Sequence, residues 1–505
     1  MMRARDLIFW AATLVAGIVA AVVAAHWRWG VPGEWQWQQR AIVGARWWMP
    51  LAPGLALIAL SLWLMRIARG GVRVRAAWAL LFVLLALMIQ HATLAIAPKP
   101  PPAMFAGAVI FSPVATTYFT EAGKVENMRA FLADYANRMP TFGQHAQTYP
   151  PGPVIFFWLV RRAVAANAAA QTFLAIAITA STNLTPRDIA LTYAVLFRRP
   201  VGADEAAAAI LSAWLLGFLG CLSALPIYLL ARDRWGAEAA IAAAALSAAL
   251  PSLVLFTPSI LQLVTFETAL VLYLFHLAWS RRSAAWGVAA GAMWGVAALT
   301  SLAVFALLLL LAVWAVAERL VAPRAQHPLV PWRVLAPAWM LGALAALALA
   351  YLALGINFPA IVRSALGAHR EVTTHAFART YARWLGWNLF DFWMFLGAGL
   401  GLWLLRQMGD EIDGLARRGI RALQGASWTP LLWALVVTIV ALDLSGIVRA
   451  EVGRIWMFLM LPAAVVAGRY VSRSERPDLA LAVLLAAQLI QVCGFERHLA
   501  LFVLL

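Results

Sequence analysis

Long apolar runs, separated by short charged or proline-containing segments, recur along the whole chain. They lie at 7–26, 49–65, 76–96, 152–182, 205–231, 237–257, 260–279, 284–299, 301–318, 335–355, 388–405, 428–446, 454–470 and 478–495. A helix needs about 20 apolar residues to cross the hydrocarbon core of a bilayer. Since an isolated segment in lipid must satisfy its own backbone hydrogen bonds, the pattern predicts membrane-spanning helices. The run 152–182 can hold two short spans broken at Arg161-Arg162, so we expect about 13 to 15 helices.

Composition supports the prediction of an all-α polytopic membrane protein. The chain has 505 residues, of which 64% are hydrophobic and 12% charged, whereas a soluble domain carries roughly twice that charged share. The net charge of +17 does not predict nucleic-acid binding, because the basic residues lie in scattered pairs and not in one stripe. Cys221 and Cys493 both lie in apolar runs, so they predict neither a metal site nor a disulfide.

The positions of the arginine clusters predict the orientation. Short basic loops alternate with the apolar runs. If the run 152–182 crosses the membrane twice, these loops all lie on one side of it, and the positive-inside rule makes that side cytoplasmic. The long segment 97–151 then lies on the outer side of the inner or plasma membrane.

The apolar run after `MMRARD` is either a retained anchor or a signal peptide cleaved after Val23-Ala24-Ala25. The many spans that follow favour an anchor. The predicted units are an N-terminal hairpin (1–75), a core (76–355) and C-terminal helices (356–505).

Segment 116–135, `TTYFTEAGKVENMRAFLADY`, carries charged residues in a chain that is otherwise apolar. Val125, Met128, Phe131 and Leu132 recur at helical spacing, which predicts an amphipathic helix lying at the membrane interface and requires no function. Glu121 stands at the start of that helix, where the helix dipole favours an ionised carboxylate. Such a carboxylate can serve as a general base.

Segment 145–153, `HAQTYPPGP`, follows about 30 residues after Glu121. Proline is well placed in the first turn of a helix, so by itself the motif predicts only a turn into the next span. The Pro-Pro turn gains functional meaning from its distance of about 30 residues from Glu121, with His145 between the two.

The order of features over 100–165 resembles the first extracytoplasmic loop of GT-C glycosyltransferases of the protein O-mannosyltransferase and aminoarabinose-transferase type. In that family the loop carries one or two acidic residues, an amphipathic helix and then His-Pro-Pro. Glu121 matches an acidic position, and Tyr149-Pro150-Pro151 matches the turn. The chain departs from the pattern in two places: Thr120 stands where a second acid often stands, and Tyr149 replaces the histidine, although His145 is near.

The resemblance implies a GT-C-like bundle and a polyprenyl-phosphate-linked sugar as donor. It implies that Glu121 activates the hydroxyl of a glycan, lipid or protein acceptor, with direct displacement and inversion at the anomeric carbon. A lipid phosphate leaving group requires no nucleotide, and the sequence has no Gly-rich phosphate loop, so no cofactor is expected. A lone carboxylate is a poor site for Mg²⁺, so no metal is expected either.

A second group of charges lies in `DLSGIVRAEVGRIWMFLMLP`, residues 443–462. These are either two helix ends with solvated charges or a pair, Glu451 and Arg454, presented at the interface. Arginine suits a lipid phosphate, which it can bind bidentately, and an arginine at the outer interface runs against the positive-inside bias. The segment also resembles `EVxRIW` segments of bacterial membrane glycosyltransferases.

Other charged residues have two interpretations each. Arg379 and Arg383 share a helical face and would bind the donor phosphate or lipid headgroups. Glu34 lies among tryptophans that mark the interface and is the rival of Glu121 as the loop acid; the Pro-Pro turn favours Glu121. Glu267 lies inside an apolar run, where an ionised carboxylate costs about 2.5–3.5 kcal/mol or more, so it contacts either substrate or a neighbouring helix. The predicted substrate contacts are Tyr118, Glu126, His145, Tyr149, Glu267 and Glu451.

Three other functions compete with glycosyl transfer. A transporter or lipid-linked-sugar flippase usually shows two related halves, which this sequence does not show. A membrane polysaccharide ligase or polymerase would also use a lipid-linked donor. A structural partner of an envelope complex has nothing in the sequence to favour it. Glycosyl transfer is therefore the leading hypothesis.

Overall fold

The computed structural model describes residues 4–502 and 504, apart from 41, 72–74, 322–331, 377, 420, 421 and 423–427. Parts of three predicted basic loops, including Arg73, Arg324 and Arg421, therefore lie outside the described residues.

Helices dominate the described part of the chain. The first half holds α1 Ala4–His26, α2 Leu51–Arg69, α3 Ala79–Leu94, α4 Pro102–Phe111, α5 Tyr118–Gly123, α6 Met128–Ala133, α7 Tyr135–Arg138, α8 Gln144–Gln147, α9 Gly152–Ala166, α10 Ala168–Thr182, α11 Pro186–Phe197, α12 Ala203–Leu222 and α13 Ala224–Trp235. The second half holds α14 Ala237–Ala248, α15 Pro251–Leu255, α16 Ile260–Ser280, α17 Ala284–Thr300, α18 Ala306–Val321, α19 Trp332–Leu354, α20 Phe358–Glu371, α21 Tyr381–Leu396, α22 Ala398–Arg418, α23 Pro430–Ser445, α24 Val452–Ile455, α25 Met457–Ser472 and α26 Pro477–His498. Two short strands, β1 Gly30–Val31 and β2 Trp35–Gln36, pair antiparallel, with Gly30 opposite Gln36.

Many of these helices can cross a membrane. Among the described residues, eight are long and apolar enough, or up to ten if each of two bent pairs is one span. Four predicted runs, 237–257, 284–299, 428–446 and 454–470, hold shorter apolar helices of 10–17 residues, namely α14, α17, α23 and α25. A fifth short apolar helix, α4, lies in segment 97–151, which was predicted to be outside the membrane. The prediction of an all-α multi-pass membrane protein is confirmed.

Both bent pairs break at a residue that the apolar pattern does not reveal. Helices α9 and α10 meet at 101°, and the break lies at Asn167, whose side chain caps α10 by accepting from Ala170 N at 3.0 Å. The predicted break at Arg161-Arg162 is wrong, since α9 runs through both arginines.

Helices α21 and α22 meet at 109° across Gly397. The φ of Gly397 is 105°, a conformation that glycine adopts readily and other residues rarely do. The predicted single span 388–405 is therefore divided.

The loop helix predicted over the charged segment 116–135 is also divided. Three short helices, α5, α6 and α7, replace it. Asn127 starts α6 by accepting from the amide of Ala130 at 3.1 Å, a local bond that competes with continuation of the preceding helix. Of the apolar residues at helical spacing, Val125, Phe131 and Leu132 are buried and Met128 is partly buried.

Helices α17 and α19 approach each other over small residues. A Cβ on Gly291 would collide with the backbone of Trp339, and one on Gly342 would collide with that of Val288. Small residues allow such close approach of membrane helices.

We expect Gly291→Val to lower the free energy of unfolding by about 1–3 kcal/mol through overpacking, measured as thermal stability in detergent. Gly409→Val in α22, where a Cβ meets nothing within 4 Å, is the matched control; equal stability of both variants would contradict the packing argument.

The two ends of the chain close the bundle together. Helices α1 and α2 both pack on α26. Gln39 forms a bridge with Leu499, and Arg40 forms a 2.5 Å ion pair with Glu496. The loop after α1 is thereby fixed beside the last residues of the chain. The division into 1–75, 76–355 and 356–505 stays a prediction.

Candidate functional site

A cavity of about 800 Å³ opens at one end of the bundle; we call it the loop-end cavity. Its lining comes from chain segments that are far apart in sequence: 34–38, 109–118, 144–149, 258–261, 301–306, 362–379, 442–458 and 500–502. The lining includes apolar residues, which we call the apolar wall: Leu302, Phe305, Val362, Leu366 and Phe458. It also includes charged side chains, which we call the charged wall: Glu34, Arg379, Arg449, Glu451 and Arg454. The cavity is therefore amphipathic.

An ion pair between Arg454 and Glu451 lies at the charged wall, with Nη2 and Oε2 3.1 Å apart. Both side chains are largely covered, with 18% and 27% of their surfaces exposed. Burial would raise the pKa of Glu451, but the guanidinium groups of Arg454 and Arg379 outweigh burial and hold that pKa below its ordinary value. Burial would lower the pKa of Arg454, but Glu451 raises it. Both groups are therefore charged in the structure.

The backbone before Arg454 is held in an unusual conformation. Ala450 and Glu451 both have positive φ, at 77° and 56°, which costs energy for residues other than glycine. The amide of Ala450 donates to Asn388 Oδ1 at 3.1 Å, and the amide of Gly453 donates to Asp391 Oδ2 at 2.8 Å. Two buried side chains of α21 thus hold the turn that presents the ion pair.

Two tyrosines of the loop line the cavity beside this pair. The rings of Tyr118 and Tyr149 meet edge to face with centroids 5.3 Å apart. Burial raises the pKa of both phenols, although the nearby Arg454 charge opposes that rise. The two hydroxyl groups therefore stay protonated and can donate hydrogen bonds to an anion next to Arg454.

His145 completes the loop's contribution. Its ring lines the cavity, with Nε2 3.2 Å from the carbonyl oxygen of Val114. Burial lowers the pKa of His145, the positive charge of Arg454 lowers it further, and Glu451 opposes both. The imidazole is therefore neutral near pH 7.

Arg379 reaches the same wall from the segment after α20. Its guanidinium donates to the carbonyl of Arg449, and the guanidinium of Arg449 donates to the carbonyl of Arg379. This reciprocal pair ties the segment to the turn that carries Glu451. Burial lowers the pKa of Arg379, against the opposing charge of Glu451.

Glu34 lines the cavity from the loop after α1. It accepts from Thr380 N at 2.7 Å and from Trp384 Nε1 at 2.8 Å. Arg383 lies 3.5 Å from its other oxygen. Burial would raise the pKa of Glu34, but these hydrogen bonds lower it, so the carboxylate is ionised. Arg383 is not among the residues that line the cavity; its side chain is 63% exposed.

Asp391 is the residue that organises this wall, and the sequence reasoning missed it. Its carboxylate accepts from Trp29 Nε1 at 3.2 Å, from Trp37 Nε1 at 2.6 Å and from the Gly453 amide. It therefore joins the first loop and α21 to α24, the short helix that carries Arg454. A charged residue inside the aromatic run `NLFDFWMF` is the signal that could have identified it, by the same reasoning that singled out Glu267.

Of the residues predicted from the sequence, six line the loop-end cavity: Tyr118, His145, Tyr149, Arg379, Glu451 and Arg454. Glu121 does not line it. Its buried carboxylate contacts Lys124 Nζ at 3.0 and 3.1 Å and accepts from the Gly143 amide at 3.4 Å. Glu126 is exposed.

Glu267 is buried in α16 and accepts from Thr300 Oγ1 at 2.9 Å. This is the helix–helix contact that was one of its two interpretations, and Glu267 does not line the cavity.

The site as a whole is suited to an anion. Three arginines line the cavity, Arg379, Arg449 and Arg454, against two carboxylates, Glu34 and Glu451. The charge of Arg454 interacts with Glu451 and with the two tyrosines. In the part of the chain that the structure describes, no three His, Cys, Asp or Glu side chains group as a metal ion would require.

Comparisons with known proteins give distant structural likenesses only. No protein-family model matches the chain, and no curated protein matches it. An oligosaccharyltransferase from Archaeoglobus fulgidus, crystallised with a tethered acceptor peptide, aligns with a TM-score of 0.45 and 16% identity, over 83% of this chain and 55% of that one. This chain therefore spans about half the length of that enzyme.

ArnT from Cupriavidus metallidurans, crystallised with undecaprenyl phosphate, aligns with a TM-score of 0.44 and 14% identity, over 84% of this chain and 78% of that one. Both likenesses are too distant to assign a donor, an acceptor or a catalytic residue to this chain.

Proposed function

We propose that this protein is a membrane glycosyltransferase that moves a sugar from a polyprenyl-phosphate donor to an extracytoplasmic acceptor. The observation that carries the proposal is the loop-end cavity itself. It combines a covered arginine, Arg454, and two nearby tyrosines, Tyr118 and Tyr149, with an apolar wall. A lipid phosphate has the same two parts: an anionic head, which arginine binds well, and a hydrocarbon chain.

The apolar wall gives the lipid chain a place to lie. Three residues that line the cavity, Phe305, Leu366 and Ile447, are 38%, 49% and 53% exposed. Exposed apolar surface of this kind suits an apolar ligand such as a lipid chain. A polyprenyl chain would pass there while its phosphate lies at Arg454.

The proposed chemistry is direct displacement at the anomeric carbon. The bond from that carbon to the phosphate oxygen breaks while the acceptor oxygen attacks from the opposite face, which inverts the configuration. Arg454 and Arg379 stabilise the negative charge that develops on the departing phosphate. Glu451 keeps Arg454 in place through their ion pair. Arg383, which lies against Glu34, would contact the donor only from the rim.

Labelled-donor transfer tests the function. Membranes containing the protein should transfer radiolabelled sugar from undecaprenyl phosphate, offered as a set of hexose and pentose donors, to an extractable acceptor. A flippase or transporter would move the labelled lipid across the bilayer without breaking the sugar–phosphate bond. The proposal is overturned if every labelled donor lipid stays intact when folded protein and acceptor-containing membranes are present.

The assignment of the general base to Glu121 stays a prediction from the loop resemblance, and one variant tests it. Since Glu121 is held by Lys124 and the Gly143 amide and does not line the cavity, we expect Glu121→Gln to retain transfer within about tenfold. We expect it to lose about 1–3 kcal/mol of stability, from the broken charged contacts. Transfer assays and thermal unfolding of the purified variant measure the two effects. A folded variant without any transfer would establish Glu121 as the base.

A further inference from the structure

We propose that His145 is the general base of this transfer reaction, accepting the proton of the acceptor hydroxyl at Nδ1. The inference rests on the proposed function and assigns His145 a catalytic role beyond the substrate contact predicted from the sequence.

The hydrogen bond of the ring fixes which nitrogen can act. A carbonyl oxygen only accepts hydrogen bonds, so the contact between Nε2 of His145 and the Val114 carbonyl at 3.2 Å requires the proton to be on Nε2. In the neutral ring the lone pair is then on Nδ1. Among the residues that the structure describes, none forms a hydrogen bond to Nδ1, and the ring lines the cavity. The basic nitrogen is therefore available to a substrate hydroxyl.

The helix that carries His145 is held in place by the rest of the loop. The amide of the next residue, Ala146, donates to Thr117 Oγ1 at 2.8 Å, and the ring of His145 lies beside that of Tyr118, with centroids 6.4 Å apart. Such fixed positioning matters because a general base must lie within hydrogen-bond reach of the proton that it removes.

The surrounding charges keep the imidazole in the basic form. Burial and Arg454 lower its pKa, and Glu451 raises it. The other titratable or charged groups on or next to elements packed against α8 are Tyr118 and Glu121 on α5, Arg138 at the end of α7 before the turn Met139–Thr141, and Arg363, His369, Arg370 and Glu371 on α20. His145 is therefore neutral at pH 7 and becomes protonated only below its lowered pKa.

The carboxylates near the site are less available for this role. Glu451 is paired with Arg454. Glu34 accepts hydrogen bonds from Thr380 and Trp384, and Glu121 lies outside the cavity lining.

The step balances without any further reactant. The acceptor oxygen forms a bond to the anomeric carbon as its proton passes to Nδ1, and the bond from that carbon to the phosphate oxygen breaks. The electron pair of the broken bond goes to the phosphate, beside Arg454. The imidazolium then releases its proton to water, which restores the enzyme.

The substitution His145→Gln isolates the proton transfer. The amide nitrogen of glutamine can still donate to the Val114 carbonyl, but the side chain has no basic lone pair. We expect kcat for transfer to fall by about 10²–10⁴-fold, with the KM for the undecaprenyl-phosphate sugar unchanged within about twofold. His91→Gln, on the exposed part of α3, is the matched control and should keep the wild-type rate.

The pH profile separates a catalytic from a structural role. Wild-type transfer should fall as pH drops through the lowered pKa of His145, because protonation removes the lone pair; the residual rate of His145→Gln should lack this acid limb. Added imidazole should restore part of the rate to His145→Ala. If the wild type transfers sugar, and His145→Gln keeps both the wild-type rate and the fall in rate at low pH, the role of His145 is overturned and the proposed function stands. A wild type inactive with every donor would overturn the proposed function, and this inference with it.

Discussion

Arg454→Gln is expected to lower sugar transfer by about 10²–10³-fold, because it removes the charge that stabilises the departing phosphate. The loss should be in kcat more than in donor binding, since the phosphate gains negative charge only as the bond breaks. Arg454→Lys should give an intermediate rate, because lysine keeps the charge but cannot bind bidentately. Steady-state transfer from labelled undecaprenyl-phosphate sugar measures all three proteins.

A double variant separates the catalytic effect from the structural one. Arg454→Gln leaves Glu451 without its partner, and such an uncompensated charged contact costs about 1–3 kcal/mol. Adding Glu451→Gln removes that charge, so stability should recover in the double variant while transfer stays low. If transfer recovered along with stability, Arg454 would serve only to hold the turn.

Asp391→Ala is expected to lower the free energy of unfolding by on the order of 3–5 kcal/mol. Its carboxylate accepts hydrogen bonds from two indole groups and one backbone amide, and removing one partner of a buried charged network leaves the others unsatisfied. Thermal unfolding in detergent measures the loss. Transfer should also fall, because the turn that carries Arg454 loses its support at Gly453.

Asp391→Asn gives a graded comparison. One amide oxygen can still accept from Trp37, but the amide nitrogen would face the Gly453 N–H, so we expect an intermediate loss of about 1–3 kcal/mol. Asp413→Asn in α22, whose carboxylate is 66% exposed, should leave stability unchanged. A stable Asp391→Ala variant would show that the turn is supported from elsewhere.

The sequence predicts the helices better than it predicts their breaks. Length and hydropathy suffice to identify membrane-spanning runs, because lipid imposes one requirement on every span. The breaks at Asn167 and Gly397 depend on single residues, one that caps a helix and one that adopts a positive φ. Neither changes the apolar content of its run, so hydropathy could not show them.

The site shows the same division. Arg454 and Glu451 were predicted because charged groups beside an apolar run are conspicuous, and Tyr149 because its Pro-Pro turn resembles a family motif. The position of Glu121 was not predictable, since one turn of a short helix decides whether a carboxylate faces the cavity or the Gly143 amide. Asp391 acts through contacts with residues more than 350 positions earlier in the chain, and no local pattern reveals such partners.

The residues that follow α26 line the loop-end cavity and contact the loop after α4. Leu501 and Phe502 line it, the carbonyl of Leu504 accepts from Ser112 Oγ at 2.7 Å, and Ala500 N donates to Gln38 O at 2.9 Å. During synthesis the earlier spans enter the membrane before these residues leave the ribosome. The loop after α4 therefore reaches its full packing only after residues 500–504 have been synthesised.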